Sequence, residues 1–107
     1  MVGLLKSLMF GSADDVDHET MVEAVKTRSS IIVDVREVAE FSAGHIDGAI
    51  NIPLSRFEAR KVPGGKPVIV YCLNGARSAM AKRMLQAAGV SDVRNYRPGY
   101  STWRLHR

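Results

Sequence analysis

The chain has 107 residues, 46% hydrophobic and 24% charged, which fits one domain with a real core and excludes a disordered or low-complexity polypeptide. Its formal charge of +4 favours anionic partners, but the basic residues are scattered without an aromatic-rich platform, so nucleic acid is not an expected partner. A single cysteine, Cys72, excludes an internal disulfide and a cysteine-rich zinc site; His18, His45 and His106 lack ligand spacing, so no metal is expected.

Residues 1–13 read as an apolar N-terminal segment and 14–107 as the domain proper. The apolar stretch is far shorter than the about 20 residues that span a bilayer. As a secretory leader it is poor, because no charge precedes it and Lys6 interrupts it. Met1, Leu4, Leu5, Leu8 and Met9 predict a short amphipathic turn. With so little lysine for anionic lipid, membrane contact is not expected. The lone thiol suits a reducing compartment, so a cytoplasmic location is expected.

HETMVEAVKT follows Asp17, a good N-cap, and predicts a helix with Met21, Val22 and Val25 on one face. SSIIVDVRE carries a β-branched run, Ile31 to Val33 with Val35 beyond, which predicts a strand buried on both faces of a parallel sheet. EVAEFSAG predicts a short helix closed by Gly44, and AINIPL a strand stopped at Pro53. SRFEARK predicts a helical turn before the breaker VPGGKP, and PVIVY a second buried strand. From Ala76, the recurrence of Met80, Met84, Ala87 and Ala88 predicts a helix with Gly89 at its C-terminal cap. VRNY is a last short strand, and YSTWRLHR a terminal helix whose Trp103 folds back onto the core. Alternation of this kind predicts an α/β domain with a mainly parallel sheet, whose ligands bind where strand carboxyl ends meet helix amino ends.

Cys72 lies at such a junction. A free thiol, with a reference pKa of about 8.5, is only a few per cent ionised at neutral pH; making the thiolate dominant needs about 2.7 kcal/mol of preferential stabilisation. A helix dipole supplies at most about 2 kcal/mol. Backbone N–H groups of Leu73–Ala76, turned inward through a tight conformation at Gly75, would supply the remainder. Arg77 and Ser78 would then donate to a bound oxyanion. From these residues alone two readings stay open: a nucleophile in an anion cradle, or a small buried hydrophobe.

The sequence resembles the rhodanese family in its single-domain form, over roughly residues 16–103. IIVDVREVAEFSAGHIDGAINIPL is similar to the family's first signature, and VIVYCLNGARSAMAKRMLQAAG to its second. The resemblance implies a five-stranded parallel sheet flanked by helices on both faces. It implies that Cys72 takes a sulfane sulfur from a donor such as thiosulfate and passes it, through a persulfide, to a thiophilic acceptor. No metal or organic cofactor is implied. The substrate-binding loop carries over as Leu73, Asn74, Gly75, Ala76, Arg77 and Ser78.

Other residues take plainer readings. Asp34 and Arg36 are expected to be structural, because buried charge needs a partner. His45 sits in a turn away from the strand end that carries Cys72 and is also read as structural; Arg56, Arg60 and Lys61 form a solvated face. Four residues separate Cys72 from Arg77, and that C-x₄-R loop disfavours the phosphatase branch of the fold, whose loop holds five. Pro98 stands where the family usually has the first glycine of a pair, which bears on acceptor choice. Leu73 and Asn74 leave the loop weakly cationic, so thiosulfate is expected to be a modest donor beside a protein persulfide. The acceptor must be external, since the chain has no second thiol. The competing expectation is a protein-to-protein relay or a non-catalytic docking module.

Overall fold

The computed structural model describes residues 14–106; the apolar segment 1–13, with its expected amphipathic turn, and residue 107 lie outside them. The elements are β1 (Asp15–Val16), α1 (His18–Thr27), β2 (Ile31–Asp34), α2 (Val38–Ala43), β3 (Ile50–Asn51), β4 (Val68–Tyr71), α3 (Ala76–Ala87), β5 (Val93–Tyr96) and α4 (Gly99–Trp103). The five strands form one sheet in the order β1-β5-β4-β2-β3, and every pairing is parallel. β1, two residues long, shows no periodicity in the sequence. SRFEARK, expected as a helical turn, resolves into two 3₁₀ turns, Leu54–Arg56 and Ala59–Lys61.

Side-chain alternation sorts the strands onto two faces. Val33, Val35, Val68, Val70, Cys72 and Val93 pack with Ala81 and Leu85 of α3 and with Ile52 and Phe57. Val16, Ile32, Ile69, Tyr71 and Tyr96 pack on the other face with Met21 and Ala24 of α1, Ile46 and Tyr100. Helices therefore cover both faces, and Trp103 packs against the second cluster as expected.

Two helices are rotated from their predicted phase. In α1 the buried pair is Met21 and Ala24, while Val22 is exposed. In α3 the buried residues are Ser78, Ala81 and Leu85, and the expected apolar face carrying Met80 and Met84 points to solvent. The cause in α3 is polar: Ser78 turns inward to the Cys72 sulfur, and its i+3 and i+7 neighbours follow it into the core. The last helix also ends early, at Trp103, with Arg104, Leu105 and His106 exposed beyond it.

At the carboxyl end of β2, Asp34 and Arg36 are both buried. Arg36 gives Nη2 to Asp34 Oδ2 at 2.7 Å and Nε to both carboxylate oxygens at 3.1 Å. The same Nη2 bonds the Gly44 carbonyl at 2.7 Å, and the guanidinium lies 4.3 Å from the Tyr100 ring centroid. Asp34 Oδ1 also accepts from the Arg36 backbone N–H at 2.9 Å. Removing one member leaves the other's buried charge without its counter-charge. Arg36→Met is expected to lower unfolding stability by about 3–5 kcal/mol, and Asp34→Asn combined with it by less, as read from urea denaturation.

Candidate active site

Cys72 follows β4 directly. It shares the α3 face with Val68 and Val70, because residues two apart in a strand point the same way. Its Sγ thereby meets the amino end of α3. Three donors converge on it: Gly75 N–H at 3.2 Å, Ser78 N–H at 3.4 Å and Ser78 Oγ at 3.3 Å. The residue is 0% exposed. Burial by itself pushes the thiol up; the Ser78 hydroxyl and N–H, with the N–H groups of Asn74 and Gly75, outweigh it and hold Cys72 below the ordinary thiol value.

The loop is held from outside. Gly75, at φ +93°, caps α3, and a Cβ there would stand 2.8 Å from the Arg97 carbonyl oxygen. Buried Asn95 donates Nδ2 to the Gly75 carbonyl at 3.1 Å. Tyr100 N–H bonds the Cys72 carbonyl at 2.8 Å and Ser101 N–H the Leu73 carbonyl at 3.1 Å. Gly99 adopts φ +71°, and a Cβ there would fall 2.3 Å from the Leu73 carbonyl oxygen. Pro98 sits at φ −55°, which proline adopts without strain, so the glycine pair is needed only at its second place.

The remaining loop residues differ in what they face. Leu73 is partly buried against the second core cluster, while Asn74 and Ala76 are exposed, joined by a long 3.5 Å bond from Ala76 N–H to Asn74 Oδ1. Ser78, read as an oxyanion donor, is buried and spends its hydroxyl on the sulfur. Arg77, given the same role, forms a two-bond clamp on Glu40 of α2, with Nη1 to Oε1 at 2.7 Å and Nη2 to Oε2 at 3.0 Å. The Arg77 guanidinium holds the Glu40 carboxyl down from 4.5 to about 2. Away from the loop, His45 bonds the Phe41 carbonyl through Nδ1 at 2.9 Å and stacks on the Phe41 ring. Arg60 and Lys61 pair with Glu58, and Arg56 is exposed.

Glu40, Asn95 and Tyr100 escaped the sequence reading. For Asn95 the available signal was a polar side chain at an inward position of a buried strand. Glu40 carries no such signal, standing 37 residues from Arg77. Among the described residues, no group of three or more His, Cys, Asp or Glu side chains is placed to hold a metal ion, and no helix is long and apolar enough to cross a membrane.

Two outcomes test this geometry. Ser78→Ala removes one donor from the sulfur but keeps the backbone pair. Alkylation of Cys72 by iodoacetamide at neutral pH is expected to slow about three- to tenfold, the scale of one ordinary hydrogen bond lost from the thiolate. The Glu40 pair should appear in acid unfolding. Because its folded pKa lies below the unfolded one, its contribution is complete above 4.5 and lost as pH falls towards about 2. Glu40→Gln should therefore flatten the fall in stability across that window, as measured by urea midpoints at successive pH values.

The same fold recurs in known proteins. The rhodanese-like domain matches residues 17–106. Uncharacterized protein YqhL of Bacillus subtilis is 42% identical over 78 residues, 71% of this chain and 62% of YqhL, so the chain spans less than two thirds of that relative. Thiosulfate sulfurtransferase GlpE of Coxiella burnetii is 30% identical over 93 residues, 85% of this chain and 87% of GlpE. The structure of the human single-domain sulfurtransferase TSTD1 superposes with a TM-score of 0.75 at 25% identity, covering 90% of this chain and 99% of that one. Family match, sequence similarity and fold thus agree, and the chain belongs to the rhodanese-like domain family.

Proposed function

We propose that the protein is a sulfurtransferase that carries sulfane sulfur as a persulfide on Cys72. The observation that supports this most is the convergence of Gly75 N–H, Ser78 N–H and Ser78 Oγ on one buried sulfur at the head of α3. Such donors favour a thiolate, and the same cradle suits the negative charge of a terminal persulfide one atom further out. Relatives named as sulfurtransferases at 30% and 25% identity support the reaction class.

With thiosulfate as donor, the Cys72 thiolate attacks the outer sulfur. The new S–S bond forms as the old one breaks, and sulfite leaves with its electron pair. An acceptor nucleophile then attacks the outer sulfur of the persulfide and releases the thiolate; cyanide would leave as thiocyanate, a thiolate as a new persulfide. Splitting the transfer into two displacements predicts ping-pong kinetics. The cycle needs no metal or organic cofactor, because the sulfur travels covalently. With one thiol in the chain, the acceptor is an external small thiol or a protein cysteine. The chain's single thiol also leaves room for a direct protein-to-protein relay with weak thiosulfate turnover.

Intact-protein mass spectrometry after incubation with thiosulfate is the direct test. The expected result is a gain of one sulfur atom, reversed by cyanide and absent in Cys72→Ser. If thiosulfate and a persulfidated protein donor both fail to load Cys72, the reading is wrong.

A further inference from the structure

Arg77 is the one charged residue between Cys72 and Ser78, and its guanidinium is engaged. Both of its terminal nitrogens bond the Glu40 carboxylate, which occupies the end-on face of the guanidinium and offsets its charge against an incoming oxyanion. Glu40 is itself held in place: Oε1 accepts from the Glu37 backbone N–H at 3.0 Å, and the Glu37 carboxylate accepts from Ser55 Oγ at 2.9 and 3.0 Å. Glu37 also acts on Arg77 through its charge. The rim therefore sets two carboxylates against one guanidinium.

Neighbouring guanidinium groups are similarly matched. Arg36 is bound to Asp34, and Arg97, whose backbone abuts Gly75, lies 3.6 Å from Asp15. A small dianion approaching the sulfur meets guanidinium groups already paired with carboxylates. To take the end-on face of Arg77 it must displace a carboxylate held by two bonds.

Resting on the sulfur-transfer reading, we infer that Glu40 sets donor specificity: by occupying the end-on face of Arg77 it favours hydropersulfides, R–S–SH, whose reacting group carries at most one charge, over small dianions such as thiosulfate. In that step the Cys72 thiolate attacks the outer sulfur of R–S–SH. The S–S bond of the donor breaks, R–S⁻ leaves with the electron pair, and the proton stays on the transferred sulfur as Cys72–S–SH. No further oxidant or reductant enters. The R–S–SH group is the same on a small thiol and on a protein cysteine.

The test compares thiosulfate, glutathione hydropersulfide and persulfidated serum albumin as donors to the full chain and to Glu40→Gln, which keeps the shape of the side chain and removes its charge. Glu40→Gln is expected to lower the thiosulfate KM about tenfold with kcat within about twofold, the scale of one freed charge-assisted contact. The ratio of kcat/KM for hydropersulfide over thiosulfate then falls by about the same factor. Adding Arg77→Gln should abolish the gain, because it acts through the guanidinium. Glu37→Gln, which leaves the fork clamped, should move the thiosulfate KM in the same direction by less, and it provides the reading if Glu40→Gln does not fold. The two hydropersulfides separate a small donor from a protein donor. A thiosulfate KM unmoved by either variant, or a uniform loss with all three donors, overturns the role of Glu40 while leaving sulfur transfer standing. Wild-type protein that loads sulfur from none of the three overturns both.

Discussion

A buried sulfur beside apolar strands is a poor place for a negative charge, and the site depends on how that cost is met. Desolvation raises the Cys72 thiol, and the donors around it more than compensate. Two of the three donors within hydrogen-bonding distance are backbone N–H groups, fixed once Gly75 takes its left-handed turn at the head of α3. The third, the Ser78 hydroxyl, also determines which side of α3 is inside. The helix cannot aim Ser78 at the sulfur and bury Met80 and Met84 as well, since those side chains lie on other faces of the same cylinder. Chemistry at one residue thus sets the packing of a twelve-residue element.

The cradle's shape is maintained by residues remote from it in the chain. The amino end of α4 is stitched to the Cys72 and Leu73 carbonyls, and Gly99 permits the close approach. Arg36 lies against the ring of Tyr100, whose N–H holds the Cys72 carbonyl, so the Asp34–Arg36 pair supports the loop through one intermediate. Asn95 secures the other end of the loop at the Gly75 carbonyl. β2, β5 and α4 therefore act together as a frame that leaves the loop little freedom to reshape.

Net charge is a poor guide to the field at the site. The chain is basic overall, yet guanidinium groups that frame the loop sit on carboxylates. Paired in this way, arginine contributes geometry rather than attraction, and the positive character left at the sulfur comes mainly from N–H and O–H dipoles. Dipoles of that kind serve a singly charged sulfur well and a doubly charged ligand less well.

The residues along the chain were enough to determine the alternation of strand and helix, the burial of Ile32, Val33 and Val35 and of Val68–Tyr71, and the position of Cys72 at a strand end. Those are local properties, carried by β-branched runs, caps and glycines. The four-residue spacing between Cys72 and Arg77 was equally plain. β1 was not legible, because two residues have no period, and α3 was read with the wrong inward face because hydrophobicity alone ranks methionine above serine. What Arg77 binds, what Asn95 holds and why Gly99 is needed were decided only by the tertiary structure. Each depends on atoms brought together by parallel crossovers from distant parts of the chain, and no window of sequence contains both partners.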